Sequence, residues 1–160
     1  MTVQPLRAPG PDVRALLQRV SRAEVRVGDE TIASIGPGLL ILLGVGREDD
    51  DATAVALARR VTELRIFADD EGRTNRSILD IAGEALVVSQ FTLYADTSRG
   101  RRPGFTNAAD PAVATAIYQG FAEALRAAGV ADVQTGSFGA EMAVELVNDG
   151  PFTIWLDTGG

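Results

Sequence analysis

Apolar and polar positions along this chain follow two periods. Residues 13–20 (VRALLQRV) and 22–27 (RAEVRV) alternate them with β-branched Val at intervals, and residues 31–35 (TIASI) do so again beyond the polar turn at 28–30; a repeat of two predicts strands with one buried face. Gly36-Pro37-Gly38 then interrupts the chain, and residues 39–45 (LLILLGV) are almost uninterruptedly apolar. That run is too short to favour a helix and reads as a strand buried on both faces at the centre of a sheet.

The helical period appears twice. Residues 49–67 (DDDATAVALARRVTELRIF) open on acids, put Leu57, Val61 and Leu64 on one stripe and reach Arg65 near the end, an order of charge that suits the helix macrodipole. The second helix is predicted from Asp110 as N-cap and Pro111 as first helical residue, through Val113, Ile117, Phe121 and Leu125, to a stop near Gly129. Residues 85–94 (ALVVSQFTLY) read as a strand with an apolar first half and a polar end. Residues 132–138, 142–147 and 152–156 read as further strands, the last two joined by NDGP. Strands and helices without regular alternation predict an α+β fold, a mostly antiparallel, barrel-like sheet with two main helices in a single domain. Residues 13–157 form that domain, and residues 1–12, with three prolines and no apolar core, read as a mobile tail and not as a signal peptide.

Composition narrows the chemistry sharply. The chain has 160 residues, 46% hydrophobic and 23% charged, a mean hydropathy of +0.08 and a net charge of −7, which is the balance of a soluble globular protein. It has no His and no Cys, and all 15 of its basic residues are Arg. Relays through imidazole or thiolate, Schiff bases and phosphate-loop lysines are therefore excluded, and a zinc site would lack its usual ligands. The acid cluster at residues 48–51 reads as a solvated helix start, and Glu141 and Glu145 as surface charges. No apolar run is long enough to span a bilayer, so the expectation is a cytoplasmic protein with no membrane partner. The acidic balance argues against a uniformly basic nucleic-acid surface, and no DNA partner is expected. Positive charge is concentrated only at Arg99, Arg101 and Arg102, either a solvated loop or a phosphate site.

What remains is catalysis by fixed dipoles, backbone N–H groups aimed where negative charge develops. Ser89, Gln90, Phe91 and Thr92 (SQFT), at the end of a buried strand, offer such groups together with hydroxyls and an amide; an ordinary strand end is the alternative. In NDGPFT, Gly150 and Pro151 read either as a tight turn or as a rigid pair of carbonyl oxygens. A third possibility is an N-terminal-Thr hydrolase exposed by loss of Met1, with Thr2 using its own amine as base.

Taken in order, LLQRV, LGV after an apolar run, RIF with D, G and N following, LVVSQFTLYAD, RPGF, and VELVNDGPFTIWL closely resemble the bacterial and eukaryotic type of D-aminoacyl-tRNA deacylase over about residues 13–156. The resemblance implies a homodimer acting on the acceptor end of aminoacyl-tRNA without cofactor or metal. Ser89, Gln90, Phe91 and Thr92 of one subunit, the candidate catalytic residues, would line the pocket for the terminal adenosine and the ester. Gly150 and Pro151 of the other, joined by a cis bond, would exclude an L side chain while glycine slips through. Arg19 would hold the Gly-Pro loop, and Arg99, Arg101 and Arg102 would meet acceptor-end phosphates. The tail, Phe152 where a smaller β-branched residue is expected and Gly104 where Ser is common depart from the pattern. A non-catalytic module that binds a tRNA end or a nucleotide is the alternative from another class.

Overall fold

The structure, a computed structural model, describes residues 10–159. Thr2 and most of the expected tail lie outside the described residues. The order is β1 (Arg14–Val27), β2 (Glu30–Ile35), β3 (Gly38–Gly44), α1 (Asp51–Glu63), β4 (Phe67–Ala68), β5 (Thr74–Arg76), β6 (Glu84–Ser89), a 3₁₀ turn (Phe91–Tyr94), α2 (Pro111–Ala127), β7 (Asp132–Thr135) and β8 (Ala143–Asp157).

The main sheet runs β2-β1-β3-β6-β7, with β8 on the other edge of β1. β1 pairs antiparallel with β2, β3 and β8, whereas β3–β6 and β6–β7 are parallel. The sheet is therefore mixed where residues 39–45 and 85–89 meet, because each crosses to its neighbour through a helix or a long connection. It curls far enough for the Ser34 N–H on β2 to donate to Oε1 of Gln134 on β7 at 2.8 Å, so the two ends of the strand order meet in a nearly closed barrel.

Curling gives each central strand two buried faces. Leu39, Ile41 and Leu43 of β3 and Ala85 and Val87 of β6 turn outward to the helices, beneath Leu57 and Val61 of α1 and Ile117, Phe121 and Leu125 of α2. Leu40, Leu86 and Val88 turn inward, where Val20, Ala23, Val25, Ala33 and Ile35 complete a second core inside the barrel. A period of two applied to an all-apolar strand places one row in each core. Tyr118 of α2 spans the layers, its hydroxyl donating to the Val87 carbonyl at 2.9 Å.

The helix ends follow their sequence signals, except that Asp110, at the N-cap of α2, makes no capping hydrogen bond with its side chain. The Asp50 carboxylate accepts from the Thr53 N–H, and α1 ends at Glu63, before Arg65. After α2, Gly129 takes φ +103°, while Gly129 and Val130 donate to the carbonyls of Arg126 and Leu125, which is the Schellman arrangement. Val113, expected on the apolar stripe, is 44% exposed at the open first turn.

Five expectations need correcting. The first two strands are one continuous β1, and the strand of residues 85–94 ends at Ser89 and tightens into the 3₁₀ turn. β7 stops at Thr135, so residues 136–138 belong to a loop. No hairpin forms at NDGP: β8 is one strand that bulges there, Gln18 pairing with Thr153 and Val20 with Asn148, so that four residues of β8 lie opposite Arg19 alone. Asp49 is also not a solvated acid. It is 8% exposed and accepts from the N–H groups of Gly46 and Asp12, while burial pushes its carboxyl above the ordinary range.

Candidate active site

A cleft of about 650 Å³ opens where β6 ends. Ser89, Gln90 and Phe91 form one wall, Phe105 with the start of α2 a second, and Phe138 through Met142 a third. The ladder to β3 makes its last bond at Gln90, whose N–H donates to the Leu43 carbonyl at 2.7 Å, and the strand ends as the Gln90 carbonyl accepts from the Leu93 N–H of the turn. Gly44 makes this approach possible: a Cβ there would lie 3.0 Å from the Leu93 Cβ and 3.2 Å from the Gln90 carbonyl oxygen. At the start of such a turn the N–H groups of Phe91 and Thr92 precede the first bond within it and have no partner in the turn among the described residues.

Two aromatic side chains frame the mouth. Phe91 is 56% exposed and meets Phe105 edge-to-face at 4.9 Å between centroids; a large exposed ring held by a second ring is a stacking surface for a flat apolar ligand. Phe105 is fixed by the two-way bonding of Asp96 and Gly104, which ties off the 97–103 loop carrying Arg99, Arg101 and Arg102. All three arginines are exposed. At the base of that loop the Ser98 hydroxyl and N–H hold the Asp96 carboxyl below its ordinary range. Thr92 does not line the cleft. Its hydroxyl accepts from the Gln90 amide, so it braces the turn.

Gly150 and Pro151 lie elsewhere. Their peptide bond is cis, on the β8 bulge, and Arg19 fills the space opposite. Its guanidinium donates to the carbonyls of Asp149 at 2.9 Å, Ile66 at 2.6 Å and, more weakly, Gly150 at 3.4 Å. It stacks 4.3 Å from the Phe152 ring centroid. The Asn148 amide closes the base of the bulge, donating to the carbonyls of Arg19 and Phe152. Phe152, the departure noted in the sequence, thus packs on Arg19.

Within one chain the two motifs do not converge. Arg14, at the start of β1, bonds the Leu93 carbonyl, and Arg19 bonds the Gly-Pro bulge; five residues of strand separate them by about 17 Å and put their side chains on opposite faces. Among the described residues no group of three or more carboxylates is arranged to hold a metal ion.

The family model described as D-Tyr-tRNA(Tyr) deacylase matches residues 16–157. The chain belongs to that family. A relative from Roseiflexus sp. strain RS-1, named D-aminoacyl-tRNA deacylase, is 63% identical over 91% of this chain and 94% of its own length. A relative of the same name from Symbiobacterium thermophilum is 57% identical over 91% and 96%. Among solved structures, one described as c-Myc DNA Unwinding Element Binding Protein superposes with a TM-score of 0.86 at 39% identity, covering 92% of this chain and 99% of that one. A probable eukaryotic D-amino acid tRNA deacylase shares the fold at a TM-score of 0.78 and 19% identity, covering 91% and 99%.

For this member of the deacylase family, sequence reading named Ser89, Gln90 and Phe91 on the cleft wall but missed Phe105, Phe138 and Met142. The signal for the last two was an aromatic inside a glycine-rich segment, TGSFGAEM, which strand propensity obscured.

Proposed function

We propose that this protein is a hydrolase that cleaves the ester of D-aminoacyl-tRNA, releasing the D-amino acid and a free tRNA 3′ end. The observation that carries this reading is a family-matched chain whose cleft combines a stacking surface at Phe91 and Phe105 with N–H groups at the start of the SQFT turn that make no bond within it. The terminal adenosine stacks in the cleft, with the ester carbonyl at the N–H groups of Phe91 and Thr92. Water adds to the carbonyl carbon, those dipoles hold the developing oxyanion, and the C–O bond to the ribose breaks as the ribose oxygen takes a proton. The ribose 2′-hydroxyl assists. The acyl ester is already activated, so no imidazole or thiolate is needed.

Selectivity is read through a homodimer. Gly150 and Pro151 are too far from the turn of their own chain, so a second copy brings them over the cleft. Their carbonyl oxygens engage the α-amino group, an L side chain collides with the Gly-Pro pair, and glycyl-tRNA, with no side chain, is also a substrate. Arg19, Asn148 and Phe152 hold that gauge in shape. Arg99, Arg101 and Arg102, on the loop that Phe105 closes, meet acceptor-end phosphates.

The test is hydrolysis of matched D-tyrosyl-, L-tyrosyl- and glycyl-tRNA by purified protein in chelator. Loss of the D and glycyl esters with the L ester intact is expected; survival of all three while tRNA binds would replace the enzyme with a binding module. That second reading is favoured by one observation, the description of a 39% identical relative as a DNA-element binding protein.

A further inference from the structure

We infer that Arg14 is a positioning residue for the reaction, a clamp that sets the angle of the SQFT turn; the inference rests on the deacylase reading above. Arg14 is the first residue of β1, outside the cleft, and acts on the turn from behind. Nη1 donates to the Leu93 carbonyl at 2.9 Å, and the guanidinium carbon lies 4.0 Å from the centroid of the Tyr94 ring. One planar group thus holds two successive residues of the turn, one by a directed hydrogen bond and one by its face.

The other side of the fork is anchored. Nε and Nη2 lie 3.0 and 2.9 Å from Oδ2 of Asp12. The Asp12 N–H in turn donates to the buried Asp49 carboxylate, whose second oxygen takes the Gly46 N–H. Gly46 closes the circle, since a Cβ there would lie 2.5 Å from the Tyr94 hydroxyl oxygen. That hydroxyl is buried and has no hydrogen-bond partner among the described residues. Tyr94 is therefore located by shape and by the stack on Arg14, and not by its polar end. Tilting the turn swings the N–H groups of Phe91 and Thr92, while the cleft walls at Phe105, Phe138 and Met142 stay where they are.

A guanidinium is suited to this and an ammonium is not, because only the planar fork can stack on a ring and bond in two directions at once. Arg14→Ala removes both holds on the turn. Arg14→Lys keeps the charge beside Asp12 and much of the stem, which covers the case in which the alanine variant does not fold. With D-tyrosyl-tRNA, both variants are expected to lose roughly 10- to 100-fold in kcat, less than the ~10²–10³ for removal of an oxyanion donor because the donors are tilted and not lost, with KM changed less than about threefold. The preference for D over L esters is retained, because the Gly-Pro bulge lies opposite Arg19, five residues further along β1, and is held there by contacts that Arg14 does not make. Millimolar methylguanidinium is expected to restore part of the kcat of Arg14→Ala.

Hydrogen–deuterium exchange of the peptide spanning the turn reads the clamp without turnover: exchange at residues 93–95, whose amides the turn protects, is faster in both variants, while peptides from β3 and α2 are unchanged. Unchanged exchange at the turn overturns the clamp. Faster exchange with wild-type kcat overturns its role in the reaction, as does a loss carried by KM. Absence of hydrolysis by the wild-type protein defeats the deacylase reading and the catalytic role with it, while exchange still decides the clamp.

Discussion

Replacing Arg19 should cost both stability and stereochemical selectivity. In Arg19→Ala three carbonyls lose their donor. Those of Asp149 and Gly150 lie on exposed residues and are resolvated, whereas Ile66 is 6% exposed and the Arg19 side chain itself only 11%. Leaving the Ile66 carbonyl dry costs about 1–3 kcal/mol. Loss of the stack on Phe152 adds roughly 0.5–1 kcal/mol, and the ion pair to the 59% exposed Asp149 adds little. Taking the total as about 3 kcal/mol, the melting temperature of a chain this size falls by roughly 6–12 °C. Arg19→Lys loses most of the same energy, since one ammonium cannot reach carbonyls on both the bulge and the segment after α1. Thermal denaturation measures the first effect; initial rates on paired D- and L-tyrosyl-tRNA measure the second, expected as at least a tenfold loss of discrimination. A melting temperature within a degree or two of wild type would refute the burial argument. A destabilised variant with full discrimination would show that the clamp shapes the fold but not the gauge.

Thr92→Ala should keep most activity, because the hydroxyl is engaged with the Gln90 amide and braces the turn; a loss of several orders of magnitude with the fold intact would make the hydroxyl a participant in the chemistry. Glu145 is held at about 2 by hydrogen bonds from Arg26 and then Arg22, against 4.5 for the free group, so its stabilising contribution is complete above about pH 4.5 and is lost as the pH falls towards 2. Glu145→Gln should flatten that limb of the stability–pH curve, measured by urea unfolding; Asp49, raised by burial, acts in the opposite direction. Reversing the charges of Arg99, Arg101 and Arg102 should weaken tRNA binding and reduce its salt dependence, roughly one counterion per lost phosphate contact, and an unchanged slope would remove the loop from the interface.

The parts of the fold that were legible in the sequence are those set by local pattern. The uniform run 39–45 announced a strand buried on both faces, and Leu57, Val61, Ile117, Phe121 and Leu125 announced two helices. What pattern could not convey was pairing. Nothing local distinguishes β3–β6 as parallel, and the bulge opposite Arg19 is invisible until the register of β8 against β1 is known, so Asp149-Gly150 imitated a hairpin. The candidate site divides in the same way. SQFT was readable because its polar residues follow an apolar strand, whereas Arg14, Phe105 and Phe138 come from three distant segments, and their shared neighbourhood is a product of the closed sheet.

β1 pairs with β3 without a break from Arg14 to Val20. Its residues therefore keep strict phase between the clamp on one motif and the clamp on the other. Substitutions inside this stretch change packing, but inserting or deleting a single residue would invert one arginine relative to the other. The stretch works as a reading frame: its length is under tighter constraint than its composition, and a change of length is tolerated only where no such phase is kept, as in the exposed 97–103 loop.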